Sequence, residues 1–286
     1  MPTLASSARN ADQLPRILLE CGNTLITGGN TGIQRVARNL AREGLLVAKD
    51  VGCACDPVLT LHDRLLKATN WLSQIDQESA AKSQHAQKKN PKLDASPKPR
   101  STLQRLCSLL KPSNFQHVAT RELRAFRSPR LQIIAGDVLV LTDAWWFDSH
   151  AKLMQSAIRQ GATTGIIVYD LLPIRHPEFF DGQLSQAFRT YLDHYLQSCQ
   201  FMLTISETVA QDLRNYAQER FVTETTSAPH IEQFRLGSDL DLVSGDQSVS
   251  ADVQAFFSQP GHQPPYLTVG TVEPRKNHTY ILDAFE

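Results

Sequence analysis

Long hydrophobic runs are missing from this 286-residue sequence. No stretch reaches the ~18–20 apolar residues that cross a bilayer, and the opening MPTLASSARNADQLPR lacks the apolar core of a signal peptide. A soluble, cytoplasmic chain is expected, at most peripheral at the cytoplasmic face of a membrane. A surplus of either charge is also missing: 29 Lys plus Arg balance 29 Asp plus Glu, so net charge argues for no polyanionic partner and no nucleic acid. Cysteines are few, odd in number and scattered (Cys21, Cys53, Cys55, Cys107, Cys199), unlike a secreted disulfide framework. Cys53 and Cys55 have no second Cys/His pair at ligand spacing, so no metal site is read from them. There is no G-x-S-x-G nucleophile turn and no meaningful Ser/His/Asp set. The first glycine loop does not fit G-x-G-x-x-G, which argues against a nicotinamide-dependent oxidoreductase.

What remains is ordinary globular composition, 41% hydrophobic and 20% charged. Behind a polar leader (1–15), Ile17-Leu18-Leu19 reads as a strand, followed by a turn-rich loop from Cys21 to Thr31. Ile33, Val36, Ala37, Leu40 and Ala41 then recur at the spacing of one buried helix face. Gly136 to Leu141, Gly165 to Asp170 and Phe201 to Ile205 read as further buried strands. Helices are expected from Ser149 to Gln160, from about Gln183 to Ser198, and from Glu207 with Ser206 as its cap. Apolar strands alternating with amphipathic helices predict an α/β fold with a parallel sheet covered on both faces. Ligands of such sheets bind beyond the carboxyl ends of the strands.

Two segments depart from this texture. Residues 73–112 carry eight Lys/Arg against three acids, with Pro91, Pro97 and Pro99, and read as a polar basic insertion. Leu103, Leu106, Leu109 and Leu110 lie at helical spacing between basic residues, so the 82–111 stretch also fits a membrane-surface element. The second departure is a polar connection, 242–265, after a first domain spanning 16–241. Tyr266 to Gly270 then reads as a new strand, and a helix capped by Asn277 begins a second domain over 266–286.

The segment Val269-Gly-Thr-Val-Glu-Pro-Arg-Lys-Asn-His278 places Arg275 and Lys276 at the mouth of a helix. Unpaired N–H groups and the positive dipole end favour an anion there, and Arg binds phosphate through a bidentate fork. A solvated basic turn is the competing reading of the same residues.

This segment resembles the signature that opens the second domain of glycosyltransferase family 4. Three earlier stretches are similar to the same family in the same order: Thr31 to Leu40, Val168 to Glu178, and Leu203 to Glu207 with Arg235 to Asp239. The resemblance implies a GT-B architecture, with a complete Rossmann-like N-terminal acceptor domain and only the first strand and helix of a second, donor-binding one. It implies a retaining transfer of sugar from a nucleotide-sugar donor to a saccharide or lipid-linked acceptor, in surface polysaccharide or lipopolysaccharide synthesis. The donor is a substrate, GDP-mannose being the first to consider, and no cofactor is implied.

Within the resemblance, Arg275 and Lys276 bind the donor diphosphate, and the loop carrying Gly28, Gly29 and Gly32 faces the cleft. Asp170, His176 and Glu178 are acceptor-side candidates, although Tyr169 stands where the family usually has His. Loop capping and local ion pairing are equally open roles for these three. No catalytic residue is singled out. Asp239-Leu-Asp241 is formally D-x-D, but a GT-B enzyme needs no metal. The resemblance further implies that the donor's sugar-binding motif lies downstream, so the 286 residues alone are expected to transfer no sugar. The alternative is a non-catalytic remnant or binding module whose partner supplies the donor domain.

Overall fold

The computed structural model describes residues 14–27, 31–61, 64–69, 128–146, 148–221, 228–237, 251–258 and 266–285. Outside them lie the leader up to residue 13, Gly28 and Gly29, the whole insertion 73–112, Asp239 and Asp241, and most of the 242–265 connection.

Seven strands form one sheet: β1 (Arg16–Glu20), β2 (Ala54–Leu61), β3 (Arg64–Lys67), β4 (Val138–Leu141), β5 (Thr163–Val168), β6 (Phe201–Thr204) and β7 (His230–Gln233). Their order is β3-β2-β1-β4-β5-β6-β7, with every neighbouring pair parallel except β2 and β3. The helices among and beyond them are α1 (Gly22–Thr27), α2 (Gly32–Val47), α3 (Asp148–Arg159), α4 (Leu172–Arg175), α5 (Gly182–Ser198), α6 (Glu207–Arg220), α7 (Ala251–Phe257) and α8 (His278–Asp283). This is the α/β, Rossmann-like arrangement that the alternation of apolar strands and amphipathic helices predicts.

The reason for two covered faces lies in the strands themselves. Side chains alternate across a sheet, and here both sets are apolar. Leu139, Leu141, Ile166, Val168 and Met202 join one cluster with Met154 of α3, with Phe188, Leu192 and Tyr195 of α5 and with Leu213 of α6. Val140 and Ile167 point the other way, where Ile33, Val36 and Leu40 of α2 pack. Trp145 anchors the first cluster, 4.7 Å from Phe188 and 5.7 Å from Tyr195 between ring centroids. Its Nε1 donates to Ile167 O at 2.8 Å, so this large ring is buried with its polar atom satisfied. Gly165 faces the Phe201 ring so closely that any Cβ would collide with it.

Several expectations need correction. The Cys21–Thr31 stretch contains α1 rather than only turns, because Cys21 O accepts from Leu25 N at 3.0 Å and Thr24 N reaches a distant carboxylate. β2 and β3 escape sequence reading, since Asp56 and Pro57 interrupt the apolar pattern. Pro57 is tolerated because the antiparallel ladder with β3 starts one residue later, at Val58. Part of the polar connection folds as α7, with Val253 and Phe257 four residues apart. Residues 266–270 form no strand: a strand needs a neighbour to bond, and none pairs with them among the described residues. Asn277 precedes α8 in the left-handed region (φ 48) and makes no side-chain cap bond. Ser206, in contrast, caps α6 through Val209 N as expected.

No helix among the described residues is long and apolar enough to cross a membrane.

Candidate functional site

The order of the sheet sets the place to look. β1 and β4 are neighbours, yet the chain leaves β1 toward β2 on one side and returns to β4 on the other. Such a reversal opens a crevice at the carboxyl ends of the two strands. Glu20, Asp143 and Asp170 all lie at or just beyond the carboxyl ends of β1, β4 and β5.

The strand-end loop after β5 carries three of the expected residues. Asp170 is partly exposed, and its Oδ1 accepts from Leu172 N at 3.0 Å, so it caps the start of α4. Burial raises its pKa, against the opposing pull of the Leu172 N–H and the Arg275 guanidinium. His176 and Glu178 are exposed and face each other, His176 Nδ1 being 3.2 Å from Glu178 Oε1. A bond from Glu178's own backbone N–H, and then the His176 contact, hold the Glu178 carboxyl below its usual value. Asp170 and His176 thus have separate partners, while Arg175 reaches Asp212 at 3.4 Å.

Arg275 and Lys276 sit in the short 3-10 turn Pro274–Lys276 ahead of α8. Glu273 accepts from Arg275 Nη2 at 2.8 Å and also from Thr271 Oγ1. Those two contacts, with the Thr271 bond the larger influence, lower the Glu273 pKa. Arg275 is already oriented by one carboxylate while remaining partly solvent-exposed.

Of the expected glycine loop, Gly32 is the described member. It opens α2 with free space where a Cβ would stand, so no contact among the described residues requires glycine there. The cap around it is well defined. Thr31 and Gln34 form a capping box, and Gln34 Nε2 donates to Thr27 Oγ1 at 2.8 Å. One side chain thereby ties together the two residues that flank positions 28–30.

The densest group of polar side chains was not anticipated. Glu20, Asp143 and His150 are only 1%, 1% and 6% exposed and come from β1, the loop after β4, and α3. Glu20 Oε1 accepts from Thr60 N at 3.0 Å and Gly22 N at 3.3 Å. Its Oε2 lies 3.2 Å from His150 Nε2. Asp143 Oδ2 accepts from Thr24 N at 2.7 Å, while its Oδ1 has no hydrogen-bond partner among the described residues. Burial, and then the Glu20 charge, push the Asp143 carboxyl up to about 6. Burial works to lower the His150 pKa, but the contacts with Glu20 and the Asp143 charge outweigh it, and the net shift is upward. Cys21, next to this group, is a deeply buried thiol raised well above its usual range by burial and the two carboxylates, and so is no nucleophile at neutral pH. A signal for the cluster did exist in the sequence: Glu20 ends an apolar strand, and His150 falls on the buried α3 face with Met154 and Ala157.

Fold and strand-end geometry together define a Rossmann-like α/β domain with polar side chains gathered at the carboxyl end of its sheet. Over 153 residues, 52% of its length, the chain is 30% identical to a serotype-specific mannosyltransferase WbdA of Escherichia coli. A second WbdA sequence from that organism is also 30% identical, and a third is 28% identical, over the same length. The chain spans about a fifth of the length of these curated relatives, the matched part being 18–19% of each. No family model matches the chain, and no solved structure matches it significantly.

Proposed function

We propose that this chain is the N-terminal, acceptor-side part of a nucleotide-sugar-dependent glycosyltransferase of surface polysaccharide synthesis, with GT-B architecture and retention of configuration. The similarity to mannosyltransferases supports the transfer chemistry and makes mannose the first sugar to test, with GDP-mannose as donor. Its saccharide or lipid-linked acceptor would lie across the carboxyl ends of β1, β4 and β5.

The observation that carries the reading is the cationic turn Pro274–Lys276 ahead of α8, in which Arg275 is oriented by Glu273 at 2.8 Å and stays partly exposed. Expelling a nucleoside diphosphate builds negative charge on the leaving group, and fixed cations stabilise it most effectively where water is scarce. Arg275, held by Glu273, and Lys276 would meet the diphosphate, while Asp170 would orient an acceptor hydroxyl. His176 and Glu178, exposed beside them, would contact the acceptor further out. On this reading the 286 residues contribute the acceptor side and the first phosphate contacts.

Calorimetric titration with GDP-mannose and with GDP tests the assignment. The expected result is comparable affinity for the two ligands, because the diphosphate supplies the contacts. Arg275→Ala/Lys276→Ala should weaken both by at least roughly tenfold, the loss of one charge-assisted phosphate contact. Unchanged affinity in the double variant would remove the diphosphate role.

A further inference from the structure

A pair of carboxylates and an imidazole, each more than nine-tenths buried, is costly to keep in a protein interior. Glu20 alone could be explained as a structural acceptor, since it bonds the backbone of Gly22 and Thr60. Asp143 is harder to explain so. It spends one oxygen on Thr24 N and leaves the other without a hydrogen bond among the described residues, under the repulsion of the Glu20 charge. A neutral Asn or Thr would bond Thr24 N without the repulsion.

We propose that Glu20, Asp143 and His150 form a buried proton-binding unit that sets how tightly α1 is held at the ligand-binding end of the sheet. The inference deepens the proposed function, because it assigns regulation to that site, but its test does not depend on it.

The mechanical linkage is direct. Asp143 Oδ2 accepts from Thr24 N in the first turn of α1. At the other end of α1, Thr27 Oγ1 accepts from Gln34 Nε2, and Gln34 Oε1 accepts from Thr31 N at 3.1 Å. A change at Asp143 is therefore passed along α1 from Thr24 to Thr27 and on to the first turn of α2. Gly22 stiffens the arrangement, since a Cβ there would stand 2.6 Å from Glu20 Oε1.

Protonation alters one bond in this chain more than the others. With Asp143 ionised, its bond to Thr24 N is charge-assisted and strong. A proton taken up by Asp143 relieves its repulsion with Glu20 and leaves a weaker, neutral acceptor for Thr24. His150 offsets one negative charge from the α3 side. The other titratable groups facing the cluster are Cys21 after β1, Tyr169 at the end of β5 and Tyr195 on α5, with Cys55 of β2 behind Cys21. Burial raises all four, so they stay neutral through the range in which Asp143 titrates. The proton that matters is thus exchanged within the trio. α1 is clamped when Asp143 is ionised and loosened when it is protonated.

Residue-resolved hydrogen exchange of the full chain between about pH 5 and pH 8, corrected for intrinsic rates, reads the Thr24 amide directly. From the difference between charged and neutral acceptors, the Thr24 protection factor should rise roughly fivefold as Asp143 ionises. Amides of the α5 core, such as Leu192, should not follow. Asp143→Asn keeps an acceptor for Thr24 and should abolish the rise. His150→Gln removes the neighbouring positive charge and should move the rise to higher pH. An NMR titration of the His150 ring should show its midpoint above the ordinary 6.5. A pH-independent Thr24 protection factor in the wild type, the same rise in Asp143→Asn, or a His150 midpoint below 6.5 would each overturn the proposal. None of these readouts involves a sugar nucleotide, so failure of the glycosyltransferase reading would appear separately, in the Arg275/Lys276 titration.

Discussion

Replacing Asp143 with Asn should make the protein more stable at neutral pH, although it removes a buried, hydrogen-bonded charge. Burial first, and the Glu20 charge second, raise this carboxyl from its ordinary 3.8 to about 6. A raised carboxyl favours the folded state fully while both states are protonated, below pH 3.8. That contribution is lost as the pH climbs through about 6. The gap corresponds to on the order of 3 kcal/mol, at 1.36 kcal/mol per tenfold change in proton affinity. Asn retains an oxygen for Thr24 N and carries no charge to repel the Glu20 carboxylate. Losing the charge-assisted character of the Thr24 bond returns about 1 kcal/mol of the gain. The net expectation is a variant more stable by about 1–2 kcal/mol near pH 7.5, the difference vanishing toward pH 4. Urea unfolding followed by tryptophan fluorescence suits the measurement, because Trp145 is almost fully buried in the core. An unchanged denaturant slope would show that only stability had moved. A variant less stable than wild type near pH 7.5, or a difference independent of pH, would refute the reasoning. A stabilising change at this position would also imply that the carboxylate is kept for a purpose other than stability.

Three further outcomes follow from other parts of the molecule. Asp137→Ala, at the opposite end of the sheet, removes a carboxylate that holds Arg16 at 2.6 and 3.1 Å and also accepts from Ile134 N. Breaking this partly buried pair should cost about 3 kcal/mol in chemical denaturation, and a loss below about 1 kcal/mol would mean that solvent replaces it. Gly165→Ala should cost about 2 kcal/mol or more by overpacking against Phe201, and the companion change Phe201→Leu should restore part of the loss. Gln34→Ala, which breaks the capping box and the tie to Thr27, should lower stability by about 1 kcal/mol and raise hydrogen exchange at Thr31 while leaving the α5 core amides unaffected.

Which elements were legible in the sequence depended on the range of the interactions that specify them. β4, β5, α3, α5 and α6 were legible because each is specified by its own pattern: Val138 to Leu141 is a continuous apolar run, and α5 repeats large side chains every three or four residues. The capping of α6 by Ser206 was equally local, a hydroxyl three residues from its donor. β2 was not legible, because Asp56 and Pro57 interrupt it, and it exists by virtue of β1 on one side and β3 on the other. Residues 266–270 show the reverse case: the pattern of a strand is present, but no neighbouring ladder is there to complete it.

By itself, the sequence determined the class of fold, the strand ends at which polar residues would gather, and the cationic turn at Arg275 and Lys276. Periodicity and short motifs are properties of neighbouring residues, and they survive without any knowledge of the third dimension. Only the tertiary structure decided that Glu20, Asp143 and His150 meet. Glu20 lies more than a hundred positions of chain from Asp143 and His150, and each alone is an ordinary acid or histidine. Their meeting depends on β4 pairing with β1 rather than with β3, and on α3 crossing back over that junction. Electrostatic energy depends on distance and burial, which sequence spacing does not carry, and so the sequence could mark these residues singly but not the site they form.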